Sequence, residues 1–355
     1  MRKILSILLI LNTLQISAQT NVVQVGKGTL PQNHISYFLP QTEIVVEVSI
    51  KRTIQKNGRF ANYAQRLLAL NNVITSNLNK YELENVNISY NIIPDTAKIF
   101  AAEINSKTTA YNLLLSPNRI IKGVNVSDAS TSLNDREGST PLSHFLDTTL
   151  IFDYSVLAED ALMATSEAKM AEFAAKQIFR IRESRMEILS GDSETEYSGD
   201  ALLLVIRELD KIEKELVALF EGKSITFTET KIFRFIPQTA IENEIIFRFS
   251  PLLGIVEKDD LAGRPITMSI LPQYILSETL NKSEKKVKKF GIYYNVSISA
   301  QIAIFDGNKQ LAGNNFLFPQ FGTLKFLPAE LFNNKNTQII FTEFGEIKLV
   351  MRITG

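Results

Sequence analysis

Two long stretches of the chain alternate hydrophobic with polar residues at the period of a β-strand. In EIVVEVSI the hydrophobic positions are Ile44, Val46, Val48 and Ile50, and the opposite face carries acidic residues and a serine. The same alternation runs through GIYYNVSISAQIAIF, from Tyr294 to Ile304. The pattern predicts one β-rich region over residues 19–126 and a second over residues 222–355.

The segment between the two β-rich regions has helical spacing instead. A first helix is predicted from Ser155 to Leu189, where alanines recur every three or four residues. A second helix is predicted from Ser198 to Phe220, where aliphatic residues follow a near-heptad spacing. Gly191 supplies a stop signal between the two. The helices are therefore predicted to form an antiparallel hairpin over residues 154–221.

Two shorter features complete the predicted organisation. GRFANYAQRLLAL places apolar residues at helical spacing and predicts one short helix within the first β-rich region. Residues 127–153 are rich in Ser, Thr, Asp and Asn, and they are predicted to form a polar linker. The expected fold class is α+β, with two mainly antiparallel β domains joined by the long antiparallel α-helical hairpin.

The first residues, MRKILSILLILNTLQISAQT, have the three parts of a secretory signal peptide. Arg2 and Lys3 supply the charge, residues 4–14 supply a short apolar run, and Ala18 ends a small-residue cleavage site. Removal of residues 1–18 leaves 337 of the 355 residues. The sequence therefore predicts export to the periplasm or the cell surface.

Charge and cysteine content exclude several classes of protein. The chain carries 38 basic and 38 acidic residues, and loss of Arg2 and Lys3 with the signal leaves 36 basic residues against 38 acidic ones. A net charge near −2 provides no general attraction to nucleic acid or to anionic lipid. The chain contains no cysteine, which excludes disulfides and thiolate metal sites. No transmembrane segment is expected after signal cleavage.

Five segments carry a resemblance to known proteins: YFLPQTEIVVEV, FANYAQRLLAL, AEFAAKQIFRIRESR, ENEIIFRFSPLLGIVEKDDLAGRP and FGTLKFLPAELF. Together they resemble one family of exported proteins from Bacteroides-type bacteria, which is catalogued as a domain of unknown function. They occur in the same order as in the family and span almost the whole mature chain. The resemblance implies an envelope setting and a shared fold, but it implies no activity, no cofactor and no functional residues.

The first predicted helix carries two arginines at positions that face away from its solvated stripe. On a helical projection Arg185 falls within an apolar sector, and Arg182 falls on the seam between two apolar sectors. A guanidinium group stays charged, so burying it requires a carboxylate or several carbonyl groups. The preferred interpretation is a structural ion pair, with Glu208, Asp210, Glu242 and Glu244 as the candidate partners. The alternative is a site that binds an acidic ligand such as a uronate, a phosphate or a peptide carboxylate.

Other candidate chemistry is sparse. The two histidines, His34 and His144, lie in polar sequence without the spacing of a zinc site or of a catalytic triad. Asp259 and Asp260 in EKDDLAGR are weak candidates for a calcium loop, and a turn is the preferred interpretation. No cofactor is expected.

The leading hypothesis for function is a non-catalytic envelope protein that binds a partner or scaffolds an assembly. The second is a module that binds a glycan or an acidic ligand near Arg182 and Arg185 or on an aromatic sheet face. The third is a hydrolase that uses two facing carboxylates, for which no pair of residues can be chosen from the sequence. The sequence leaves open the partner, the ligand and the oligomeric state.

Overall fold

The structure is a computed structural model. It describes residues 22–27, 30–103, 111–126, 150–192, 195, 199–273, 291–332 and 336–352. The predicted signal peptide and most of the predicted polar linker, residues 127–149, lie outside the described residues.

The described strands form three antiparallel sheets. In chain order they are β1 (Val22–Gln24), β2 (His34–Lys56), β3 (Leu78–Glu103), β4 (Leu113–Leu115), β5 (Ile121–Val124), β6 (Lys223–Phe235), β7 (Ile241–Ser250), β8 (Gly254–Val256), β9 (Arg264–Pro272), β10 (Gly291–Asp306), β11 (Lys309–Pro328), β12 (Thr337–Phe341) and β13 (Ile347–Arg352). The strand orders are β1-β3-β2-β6 in the first sheet, β11-β10-β9-β7-β8 in the second and β13-β12-β5-β4 in the third.

The first two sheets pack face to face as a β-sandwich. The alternating positions of β2 predicted to be apolar are buried, and so are those of β10 from Ala300 to Ile304. These side chains meet Phe247 and Phe249 of β7 and the inner residues of β9 in one core. Burial of one face of each long strand explains why the sequence alternates with a period of two.

The third sheet contains strands from both β-rich regions of the sequence. Ile339 of β12 pairs with Val124 of β5, which joins the C-terminal strands to the N-terminal ones. The sandwich also combines the two regions, because its first sheet includes β2 and β3 and its second sheet includes β7 and β9–β11. Antiparallel sheets and an α+β mixture are present. Because strands from both regions share sheets and a core, the predicted division into two β domains joined by the helices is not confirmed. Local periodicity does not predict the pairing of distant segments.

A set of buried polar contacts ties the sandwich together where its ladders are interrupted. β6 follows β2 only as far as Ile44, and residues 319–322 bulge out of the β10–β11 ladder. Gln320 in this bulge replaces the missing strand, since its Oε1 accepts from Thr42 N at 2.9 Å and its Nε2 donates to Thr42 O at 2.8 Å. The amide side chain thereby satisfies backbone groups that burial would otherwise leave unpaired.

Tyr37 makes a second contact of this kind between β2 and β10. Its hydroxyl donates to Tyr293 O at 3.1 Å and accepts from Tyr293 N at 2.9 Å. The side chain is fully buried, and desolvation by burial raises the pKa of the phenol above its ordinary value. We call Tyr37, Thr42, Tyr293 and Gln320 the sandwich junction.

The helices form a layer of their own beside the sheets. They are α1 (Ala64–Leu68), α2 (Glu159–Leu162), α3 (Glu167–Ser190) and α4 (Asp200–Glu221). The predicted short helix is α1, and α3 and α4 pack against each other as an antiparallel hairpin. Gly191 ends α3 with a φ of 81°, a left-handed conformation that glycine adopts without strain.

The predicted start of the first long helix at Ser155 is wrong. Residues 154–156 form a 3-10 turn, α2 follows, and α3 begins only after Ser166. Ser166 has an extended backbone and its hydroxyl accepts from Lys169 N at 3.3 Å, so this residue caps α3. The alanine spacing therefore crosses two helices rather than marking one.

The end of the hairpin nearest the sheets is well buried. Phe60 and Phe220 pack at a centroid distance of 5.2 Å with their rings tilted by 53°, and Leu216, Ile178 and the alanines of α3 pack around them. Gly58 allows this approach, because a Cβ at that position would lie 2.3 Å from Leu219 O. The proximal hairpin is thus fixed to the body of the protein.

Candidate functional site

Arg182 and Arg185 lie on the side of α3 that faces α4. Arg182 Nε is 2.6 Å from Glu213 Oε1, and Arg185 Nη1 is 2.6 Å from Glu213 Oε2 and 2.5 Å from Asp210 Oδ1. One carboxylate therefore bridges the two guanidinium groups, and a second carboxylate pairs with Arg185. We call these four residues the hairpin ion cluster.

Burial within the cluster is uneven. The Glu213 side chain is only 13% exposed, whereas the Arg182 and Asp210 side chains are 40% and 55% exposed. Glu213 is held in place by positive charge on one side and by the helix packing on the other. Because both arginines and Asp210 retain contact with water, each pair contributes less to stability than its short distance suggests.

Of the acidic partners considered from the sequence, the structure places Asp210 on Arg185. Glu208 lies 3.9 Å from Lys211 on its own helix, and Glu244 lies 3.5 Å from Lys258. The partner that the sequence interpretation missed is Glu213. Its sequence signal is its spacing. Glu213 lies seven residues after Ile206 and seven residues before Phe220, so all three share the side of α4 that faces α3.

The acidic partners in the cluster favour the charged form of Arg185. The hydrogen bond from Arg185 to Asp210 raises the pKa of the guanidinium further above its already high value. Arg185 is therefore held in its charged form by the ion pair with Asp210. The chemistry of the cluster is that of a contact between helices.

Exposed apolar side chains lie along the part of the hairpin that extends beyond the buried layer. Phe179 lies beneath Arg182, with the guanidinium carbon 5.9 Å from the ring centroid, and Met186 follows one heptad later on the same stripe. Leu203 lies seven residues before Asp210 and so shares its stripe of α4. Phe179, Met186, Leu189 and Leu203 are 51%, 67%, 63% and 62% exposed. We call these four residues the distal hairpin surface.

Two of the remaining candidate residues, Asp260 and His34, make local contacts with the backbone. Asp260 Oδ1 accepts from Ala262 N at 2.9 Å, and Asp260 N donates to Glu257 O at 3.1 Å, so the EKDDLAGR segment forms a turn with exposed acidic residues. His34 Nδ1 lies 2.7 Å from Pro31 O, and His144 is outside the described residues. Among the residues that the structure describes, no group of three or more His, Asp or Glu side chains is arranged to hold a metal ion.

The fold and the cluster together define an α+β protein in which a β-sandwich and a third sheet carry an ion-paired helical hairpin. The chain belongs to the family described as "Domain of unknown function (DUF4831)", and the match covers residues 33–348. The family resemblance predicted from the sequence is thereby confirmed. No curated protein and no solved structure matches the chain. Within the described part of the chain, no helix combines the length and apolar character needed to cross a membrane.

Proposed function

We propose that the protein is an exported, non-catalytic binding or scaffolding module of the cell envelope. In this proposal the distal hairpin surface contacts a protein partner in the periplasm or at the cell surface. The sandwich and the third sheet act as a rigid base, and the hairpin presents its apolar side chains away from that base.

The observation that supports this proposal is the contrast along the hairpin. The buried apolar residues of α3 all lie at or before Ile178, and beyond that point Phe179, Met186 and Leu189 are more than half exposed. Exposed apolar side chains that cluster on one surface are a common mark of protein–protein contact. Methionine and phenylalanine are also enriched in the cores of such contacts.

The second candidate is an acidic ligand bound by Arg182 and Arg185. The observation that favours it is the partial exposure of both guanidinium groups. Such a ligand would have to displace Asp210 or Glu213 from distances of 2.5 and 2.6 Å. A charged hydrogen bond would be exchanged for a similar one, so little net affinity is gained. We therefore rank this candidate below the protein contact.

Site-specific photo-crosslinking in cells that naturally make the protein tests the proposed contact. A benzophenone side chain introduced at Met186 or Leu203 should form one adduct of the same mass. Matched probes at two other exposed apolar positions, Leu261 in the turn between β8 and β9 and Leu324 on β11, should not form that adduct. Phe179→Asp should remove the adduct while leaving the circular dichroism spectrum unchanged.

Equal labelling from all four positions, or no adduct from the hairpin positions, would contradict the proposed contact. Titration of glucuronate oligosaccharides by calorimetry would test the second candidate, which requires binding that Arg182→Ala and Arg185→Ala both weaken. Export is tested separately by mass spectrometry of the protein made in a bacterium with two membranes. The expected mature protein begins at Gln19, and an intact N-terminus in the cytoplasmic fraction would contradict export.

A further inference from the structure

The edge strand β13 leaves a row of buried side chains open to solvent. Across the third sheet, Leu113 pairs with Val124, Val124 pairs with Ile339, and Ile339 pairs with Val350. The first three are 9%, 0% and 1% exposed, but Val350 is 56% exposed. Among the residues that the structure describes, the core beneath this sheet therefore continues to its edge and has no cover there.

The opposite face of β13 is also apolar. Leu349 is 44% exposed and Met351 is 38% exposed, so three consecutive hydrophobic residues reach the solvent at this edge. In the described part of the chain β13 pairs only with β12, which leaves its outer row of backbone N–H and C=O groups without a strand partner. Such an edge can accept another extended chain through main-chain hydrogen bonds.

The other sheet edges have protective features, and β13 shares only some of them. β1, β4 and β8 have three residues each, and β11 contains Pro319 and a bulge. β6 carries three threonines on one face, Thr226, Thr228 and Thr230, and its Arg234 is paired with Glu43. Proteins commonly use short strands, proline and charge to prevent edge pairing. β13 combines an exposed apolar centre with two charges of the same sign at its sides.

These two charges indicate what the edge would accept. Lys348 occupies the register shift between β12 and β13, and Arg352 lies two residues beyond Val350 on the same face. Within the described residues neither makes an ion pair with an acidic side chain. A strand that placed an apolar residue opposite Val350 would bring the residues two positions away beside Arg352 or Lys348.

We propose that β13 binds an extended protein segment that carries an apolar residue flanked, two positions away on either side, by acidic residues. The segment adds a fifth residue to the row formed by Leu113, Val124, Ile339 and Val350, and its carboxylates pair with Arg352 and Lys348. The same pattern fits in the parallel and antiparallel directions, because the acidic positions are symmetric about the apolar one. This site is separate from the distal hairpin surface.

The test uses fluorescently labelled, end-capped peptides and the full mature chain. The first peptide contains Glu-Thr-Val-Thr-Glu and the second contains Lys-Thr-Val-Thr-Lys, and fluorescence anisotropy measures the binding of each. The acidic peptide is expected to bind at least about tenfold more tightly, with a preference that decreases as salt is added. An N-methylated version of the acidic peptide, which cannot form the main-chain hydrogen bonds, is expected not to bind.

A charge-reversal variant makes the result specific to β13. K348E/R352E should bind the lysine peptide in preference to the acidic one. The matched control K231E/K309E reverses two exposed lysines on the other sheets and should keep the original preference. The thermal unfolding midpoint of each variant shows whether it remains folded, and V350E provides a second variant that should lose both peptides.

Three outcomes would overturn the proposal. The first is equal binding of the two peptides, or no binding of either, by the folded wild-type protein. The second is an acidic preference that K348E/R352E leaves unchanged. The third is a concentration-dependent dimer in sedimentation that V350E abolishes, since the occupant of the edge would then be a second copy of the chain.

Discussion

The sandwich junction and the hairpin ion cluster use similar polar contacts in different surroundings. At the junction, neutral groups of Tyr37 and Gln320 satisfy backbone atoms inside the sandwich, and Tyr37 and Thr42 are fully buried. In the cluster, full charges meet at shorter distances, but Arg182 and Asp210 remain in contact with water. Burial, rather than charge or distance, decides which region stabilises the fold, because a buried group has no water to replace a lost partner.

The largest effect is expected from Gln320→Ala. The substitution leaves the N–H and C=O of Thr42 buried without the amide that pairs with both, and each unpaired group costs about 1–3 kcal/mol. We expect the free energy of unfolding in urea to fall by about 3 kcal/mol. Gln301→Ala removes an exposed glutamine from β10 and should change it by less than about 0.5 kcal/mol. Equal losses in the two variants would contradict the comparison.

Tyr37→Phe removes the hydroxyl that both donates to and accepts from the backbone of Tyr293. The ring still fills its place in the core, so only the hydrogen bonds are lost. The expected loss in the free energy of unfolding is about 2 kcal/mol. The exposed Tyr154→Phe serves as the control, and a loss of similar size there would mean that the effect does not depend on burial.

The pH dependence of stability sharpens the same contrast. Burial raises the pKa of Tyr37 above its ordinary value of about 10, so above that pH the unfolded chain loses this proton while the folded protein keeps it. The wild-type protein should therefore lose stability relative to Tyr37→Phe as the pH rises above about 10, by up to about 1.4 kcal/mol per pH unit. Urea unfolding of both proteins between pH 8 and pH 11, roughly the range over which a free phenol ionises, measures the difference. A difference that stays constant over this range would show that Tyr37 ionises normally.

The smallest effect is expected in the hairpin ion cluster. Glu213→Gln removes the charge that bridges Arg182 and Arg185, but both arginines keep contact with solvent. After allowance for solvent screening, the expected loss is about 1 kcal/mol, and added salt should reduce it. Glu172→Gln, in an exposed pair 3.7 Å from Arg66, should have almost no effect. A loss from Glu213→Gln that exceeds the one from Gln320→Ala would reverse the order that burial predicts.

Local spacing predicts the elements of this fold better than it predicts their partners. The alternating strands β2 and β10, the helix α4 and the glycine stop after α3 all follow from positions close together in the sequence. The pairing of β5 with β12 joins residues more than 200 positions apart, and no periodic pattern encodes that choice. The predicted start of α3, at Ser155, is too early because an alanine spacing can continue through a turn.

The candidate site shows the same limit. Arg182 and Arg185 stand out in the sequence because they interrupt an apolar sector, and Asp210 is among their predicted acidic partners. Glu213 interrupts the corresponding row of α4, but its significance depends on knowing that the two rows face each other. No sequence pattern predicts the role of Gln320. A single glutamine in a bulge becomes significant only once its distance to Thr42 is known.

Native-state hydrogen exchange, measured by mass spectrometry at increasing concentrations of urea, directly compares the stability of the sandwich junction with that of the distal hairpin. Peptides that contain Thr42 and Tyr293 should exchange only when the whole protein unfolds. Peptides from the distal half of α3, around Arg185 and Met186, should exchange through local opening at a clearly lower free energy. If the distal hairpin and the sandwich opened together at the same free energy, the ion cluster would be as stabilising as the junction, and burial would not explain the difference between them.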